Sequence, residues 1–220
     1  MNRLIPVPDR CQSAHGVFTA EPVDGAADFP APGGALLRRF GASADDVARL
    51  EARAHARVFL TETSTVDAAS AARRAREDAL AFAAEHDGVV VDLAVPRIVT
   101  GPISSAASAW VAVDVDPAGL TSRGLETFGL PELRLDGIDP EAVAPSIALI
   151  LGVAQRLLTE WPARDPVGPA AVTLHDIALA YDDQVDQTGP ERSTDLLIAF
   201  HAGELVLTLV GDPAADLFGS

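Results

Sequence analysis

The segment Val89-Val-Val-Asp-Leu-Ala-Val95 is apolar at almost every position and does not alternate. A strand of this kind is covered on both faces, so the chain must place a layer above it and another below. What comes before it supplies one layer. Ser64-Thr-Val-Asp67 reads as a cap, and the spacing predicts a helix over about 67–85. Its inward stripe is Ala72, Ala75, Ala79, Phe82 and Ala83; Arg73, Arg74, Arg76, Glu77 and Asp78 form its wet face. A stripe made mostly of alanine lets the helix lie close to its sheet. Gly88 is expected to end it, as the residue that takes a left-handed closing conformation at least cost. Upstream, Ala56 to Glu62 alternates as a strand with Val58 and Leu60 on one face. Strand, helix and strand from 56 to 95 form the clearest unit in the chain.

A second helix begins at Asp139-Pro140, an acid followed by proline at the first helical position, where no amide bond is lost. Val143, Ile147, Ile150, Leu151, Ala154, Leu157 and Leu158 recur at helical spacing to about Trp161, with Pro145 near the start predicting a bend. Ser43 with Asp46 caps a shorter helix. Strands are predicted at His15–Thr19 (an edge), Trp110–Val115, Glu132–Leu135, Val172–Leu179, Asp195–Phe200 and Glu204–Val210, the last two joined by a tight turn at Ala202-Gly203. Residues 1–34 are punctuated by Pro6, Pro8, Pro22, Pro30, Pro32 and Gly33-Gly34, and read as a surface arm. The expectation is therefore an α+β fold: a proline- and glycine-rich arm over 1–34, then a single domain over 35–220. That domain would carry a mainly antiparallel sheet with two long helices packed on one face.

Charge narrows the function. All 16 basic residues are arginine, against 32 acids, and the net charge is −16. It is uneven: residues 1–97 hold 11 arginines against 14 acids, and residues 98–220 hold five against 18. Such a field repels phosphate backbones and anionic lipid, which argues against nucleic-acid or membrane partners and favours a basic protein partner. The longest apolar run, Ile147–Ala154, is shorter than a membrane helix needs. The first residues lack the apolar core of a signal peptide. Cys11 is the one cysteine, so no internal disulfide forms and a reducing, cytoplasmic setting is expected.

No catalytic signature stands out. The five histidines are scattered, with no metal-ligand spacing, and no cofactor is expected. His175 and Asp176 adjoin on a predicted strand and would point to opposite faces. A hydrolase reading would need His175, a nearby carboxylate and Ser104 or Ser105 to converge. Asp182, Asp183 and Asp186 are oxygen ligands of the calcium type, without the glycine and terminal glutamate of the usual calcium loop. Cys11 has no histidine placed to activate it. The densest run of glycine, proline and paired charge is Leu120 to Leu135. There Thr121 or Ser122 would cap a single helical turn through Phe128, offering amides to a carboxylate. Arg123, Glu126 and Glu132 are its candidate binding residues; the structural alternative is an internal pair of Arg123 with Glu126 or Glu132.

The run Thr121-Ser-Arg-Gly-Leu-Glu-Thr-Phe-Gly-Leu-Pro-Glu-Leu133 resembles a Thr-x-Gly-Leu-x-x-Phe-Gly-x-x-Glu-Leu motif of uncharacterised bacterial α+β domains. Here one extra residue separates Thr121 from Gly124 unless Ser122 is aligned instead. In such domains the motif links a strand to the long second helix, and the resemblance covers about residues 56–210. It implies a small α+β unit in antagonism, defence or housekeeping, and no catalytic set. The functional expectation is a non-enzymatic cytoplasmic protein acting through protein–protein contact, immunity-like or accessory.

Overall fold

The computed structural model describes residues 4–27, 29–101, 103–185 and 192–219. The α+β class holds, but the chain forms two compact units where a single domain was expected: residues 9–103, and the residues up to Pro8 together with those from Ser104 onward. The strands fall into two sheets, so the two long helices do not share a face; each serves the sheet of its own unit.

The unit of residues 9–103 is built on β1 (Cys11–Thr19), β2 (His55–Thr63), β3 (Val89–Asp92) and β4 (Arg97–Ile98), all antiparallel, in the order β2-β1-β3-β4. The strand predicted at an edge of a surface arm is therefore central and almost wholly buried. Its inward positions Cys11, Ser13 and His15 are small or polar, which disguised it as a loop. Helix α3 (Ala68–Glu85) covers one face, where Val17, Ala79, Ala83 and Val90 pack together. Helices α1 (Gly34–Arg39) and α2 (Ala44–Glu51) cover the other, around Phe18, Leu37, Val47, Leu50, Ala56, Val89 and Val91. So β3 is covered on both faces, as its composition requires. The Ser43–Asp46 capping box forms in full, and Ser64 Oγ accepts the Asp67 amide.

Two expectations for this unit are corrected. Arg76 does not lie on the wet face but in the stripe, four residues from Ala72 and three from Ala79, and is buried. Gly88 does not supply the left-handed residue after α3; Asp87 does, at φ 47°. Glycine is needed at 88 because a Cβ there would stand 2.8 Å from Val17 Cγ1.

The second unit has β5 (Ala112–Asp116), β6 (Gly119–Arg123), β7 (Leu133–Asp136), β8 (Gly168–Thr173), β9 (Ser193–His201) and β10 (Glu204–Leu209) in a mixed sheet ordered β5-β6-β7-β10-β9-β8. Only the β7–β10 pair is parallel. Helix α4 (Val143–Glu160) packs against β8 and the short helix α5 (Leu174–Tyr181). Pro140–Glu160 is long and apolar enough to cross a membrane, with a mean hydropathy of 1.6, and 44% of that window is buried inside the fold. The turn preceding α4 is a 3-10 helix, Pro140–Ala142, and Asp139 makes no side-chain cap.

The strand expected over Val172–Leu179 stops at Thr173. Thr173 Oγ1 accepts the Asp176 amide at 3.1 Å and Asp176 Oδ2 accepts the Thr173 amide at 2.8 Å, a capping box that starts α5. Thr-x-x-Asp outweighs the strand-like residues around it. From the other end of the chain, Ile5 is buried in this same unit and the Leu4 amide donates to Asp165 Oδ2 at 2.6 Å.

Candidate functional site

The Leu120–Leu135 run folds as strand, turn and strand. Thr121 and Ser122 lie within β6, so neither caps the turn. Gly124 begins it in the left-handed region at φ 115°, where a side chain would be strained, and Leu125–Phe128 forms one 3-10 turn. The capping group is Glu132. Its Oε1 accepts the Gly124 amide at 2.7 Å and the Glu126 amide at 3.3 Å; its Oε2 accepts the Ser122 hydroxyl at 2.5 Å. Ser122 Oγ in turn accepts the Leu133 amide at 2.7 Å. The carboxylate that the turn's amides call for is thus the chain's own. Burial pushes the Glu132 carboxyl up, against the lowering pull of the Ser122 hydroxyl and the two amides.

Arg123 does not pair with Glu126 or Glu132. The β5–β6 hairpin brings it beside Asp114, its Nη2 at 3.2 Å from Asp114 Oδ2 with about half of the arginine side chain exposed. Glu126 is exposed. Of the three candidates, Glu132 is committed to the turn, while Arg123 and Glu126 remain at the surface where a partner can reach them.

Among the described residues, His175 makes no hydrogen bond to Ser104, Ser105 or a carboxylate. His175 sits on α5 and has no hydrogen-bond or ion-pair partner among the described residues. Ser105 is engaged elsewhere: its amide and hydroxyl donate to Asp183 Oδ2 at 2.7 and 2.8 Å, and Ser104 Oγ accepts the Ala106 amide. Those contacts, the Ser105 amide foremost, hold the Asp183 carboxyl well below the usual carboxylate range. Asp186 lies outside the described residues, and among those described no group of three potential metal ligands comes together. Cys11 is buried, its sulfur 3.3 Å from Thr65 Oγ1.

A polar network that the sequence reading missed lies beneath α3. His15 and Asp92 are cross-strand partners on β1 and β3, and Arg76 reaches down from the helix to both. Arg76 Nη2 stands 2.7 Å from Asp92 Oδ2, and Arg76 Nε donates to His15 Nε2 at 3.4 Å. Asp92 Oδ1 accepts the Ala94 and Val95 amides, closing the turn that leads to β4. An imidazole accepting at Nε2 carries its proton on Nδ1, and His15 Nδ1 has no partner among the described residues. Burial lowers the His15 pKa; Asp92 opposes this and Arg76 adds to it. Burial also pushes Arg76 down to about 10, which leaves it charged at neutral pH. His15, Arg76 and Asp92 are 1%, 3% and 5% exposed, so no substrate meets them and the network belongs to the core. The signal available in the sequence was Arg76's place in the alanine stripe.

Around the β5–β6 turn the second unit is acidic. Gly137 N donates to Ala118 O at 3.3 Å, drawing the segment after β7 against that turn. The exposed carboxylates Asp116, Asp136, Asp139 and Glu141 are carried by these two segments. Arg134 pairs with Asp136 and Glu204.

No protein-family model matches this chain, no curated protein matches it, and no solved structure matches it.

Proposed function

We propose that this chain is a non-catalytic cytoplasmic protein that acts by binding a basic protein partner, in an immunity-like or accessory role. The observation that carries the reading is the exposed carboxylate set Asp116, Asp136, Asp139 and Glu141, within a region holding 18 acids against five arginines. Asp136 is paired with Arg134, while Asp116, Asp139 and Glu141 have no ion pair among the described residues; exposed like charges of that kind attract a partner of opposite sign and steer its approach. Arg123 and Glu126 stand on the same unit and supply the polar contacts that fix register. A catalytic reading has less support, because the two serines are engaged with Asp183 and the Ala106 amide and His175 makes no hydrogen bond to either of them.

The test is capture of partners from native lysate at low and high salt, with Arg123→Ala, Glu126→Ala and the double variant Asp139→Asn/Glu141→Gln beside the wild type. Exposed charges are screened within ~8 Å at physiological ionic strength, so capture should fall steeply as salt rises. It should also fall in the double variant while its melting temperature holds. Capture that ignores both salt and the neutralised carboxylates would refute the reading.

A further inference from the structure

The C-terminal turns of α4, the linker 164–167 and strands β8 and β9 line a cavity of about 240 Å³. All of its lining belongs to the second unit. Its floor is aliphatic: Val153 and Leu157 come from the helix, Val172 from β8 and Ile198 from β9, and all are buried. Its rim is charged. Arg156, Glu160 and Arg164 follow one another at intervals of one helical turn, which sets their side chains side by side. Arg156 Nε stands 3.0 Å from Glu160 Oε1, and Arg164 Nη1 stands 3.1 Å from Glu160 Oε2. Arg156 Nη1 also donates to Ala171 O, tying the rim to β8. Asp165 completes the rim; its Oδ1 accepts the Val167 amide at 3.0 Å and its Oδ2 the Leu4 amide at 2.6 Å.

Size, floor and charge limit what this cavity can take. An apolar cavity of ~150 Å³ holds a molecule the size of benzene, so this one holds about ten non-hydrogen atoms, fewer than a drug-sized ligand or a nucleotide has. The floor side chains offer no donor or acceptor, so the inner part of the ligand is aliphatic. At the rim two guanidiniums meet two carboxylates. A simple anion would lie against Glu160 and Asp165, and a simple cation against Arg156 and Arg164. A molecule carrying both charges satisfies both. The rim groups also keep capacity beyond their own pairs. Arg156 Nη2 and Arg164 Nε and Nη2 have no partner among the described residues, and each Glu160 oxygen accepts one donor.

We propose that this cavity binds a free aliphatic α-amino acid of the size of leucine or isoleucine. Its carboxylate takes the remaining donors of Arg164 and Arg156, and its ammonium lies between Glu160 and Asp165. Its side chain rests on Val153, Leu157, Val172 and Ile198. Charge-assisted hydrogen bonds at the rim supply orientation, and the aliphatic floor supplies burial. The site shares no residue with the acidic partner surface, so it stands or falls apart from that reading.

Calorimetric titration and thermal shift of the full chain test it. L-leucine and L-isoleucine are the probes, beside isocaproate, isoamylamine and glycine, which lack the ammonium, the carboxylate and the side chain in turn. The protein is the same in every titration, so the comparison does not depend on any variant folding. Both amino acids should bind at millimolar concentration or below and raise the melting temperature. Each of the other compounds should bind at least about tenfold more weakly. Arg164→Ala locates the site: that side chain is 62% exposed and its surface pair adds little to stability. The variant's melting temperature should hold while its affinity for leucine falls about tenfold. Neither heat nor a thermal shift with either amino acid would overturn the assignment. So would isocaproate or isoamylamine binding as tightly as leucine, or an unchanged leucine affinity in Arg164→Ala.

Discussion

Each unit contains a carboxylate that holds a turn, and the two are solved differently. Asp92 accepts two turn amides with one oxygen and the Arg76 guanidinium with the other. Glu132 accepts two turn amides with one oxygen and the Ser122 hydroxyl with the other. The geometry is nearly the same; the difference is a cation. Asp92 is buried with its countercharge, 2.7 Å from the Arg76 guanidinium. Glu132 is held by dipoles alone, and its carboxyl is displaced upward by burial. A single hydroxyl and two amides suffice to shape a turn, but they compensate a buried charge less completely than a guanidinium does.

The comparison is broken most severely at Arg76. Arg76→Ala leaves buried Asp92 without its hydrogen-bonded cation, with Arg97 across the strand pair as the remaining one, and removing one partner of such a pair costs about 3–5 kcal/mol. Urea unfolding of the variant should show that loss; a loss below about 1 kcal/mol would mean the pair is not what holds the β3–β4 turn. Glu132→Ala should cost less, about 2 kcal/mol, since it strands polar donors but no opposite charge. Glu132→Gln sharpens the contrast, because its carbonyl can still accept both amides and its amide can donate to Ser122 Oγ. It should recover most of the alanine loss in the same unfolding measurement.

The smallest effect is in pH, and the two carboxylate networks should respond in opposite senses. Burial lowers the His15 pKa beneath its ordinary value of 6.5, with Asp92 and Arg76 as the charged groups acting on it and Arg97 across the strand pair from Asp92. Below that pH the unfolded chain takes the proton first, so stability of residues 9–103 falls as pH falls. The Glu132 carboxyl is raised, so the native form binds the proton first and its turn gains stability as pH drops through the raised value. Hydrogen exchange at about pH 7 and about pH 5.5, corrected for intrinsic rates, separates the regions. His15→Gln should abolish the acid weakening; acid weakening that persists in it has another source.

What the sequence made legible was local. Ser43 and Asp46 lie three residues apart and their box forms as expected. Helices α3 and α4 follow from spacing, and β3 from its unalternating composition. What it concealed needed a partner from elsewhere. His15 and Asp92 meet only because β1 and β3 pair in one register. Arg123 faces Asp114 because a hairpin folds them together, which no spacing rule for a helical turn anticipates. Arg76 was misplaced because its charge was weighed above its position. The division into two compact units was concealed for a similar reason: alternation identifies strands but does not say which sheet they join.

The order of the units along the chain bears on how the protein is made. Residues 9–103 are contiguous, so that unit is complete on the growing chain while β5 to β10 are still to come. Leu4 and Ile5 precede it, yet Asp165, which receives the Leu4 amide, is synthesised some 160 residues later. The short N-terminal stretch must therefore wait, unfolded, through the synthesis and folding of an entire unit before the one it belongs to exists. During that interval Ile5, buried in the finished fold, is without the residues of its own unit that will cover it.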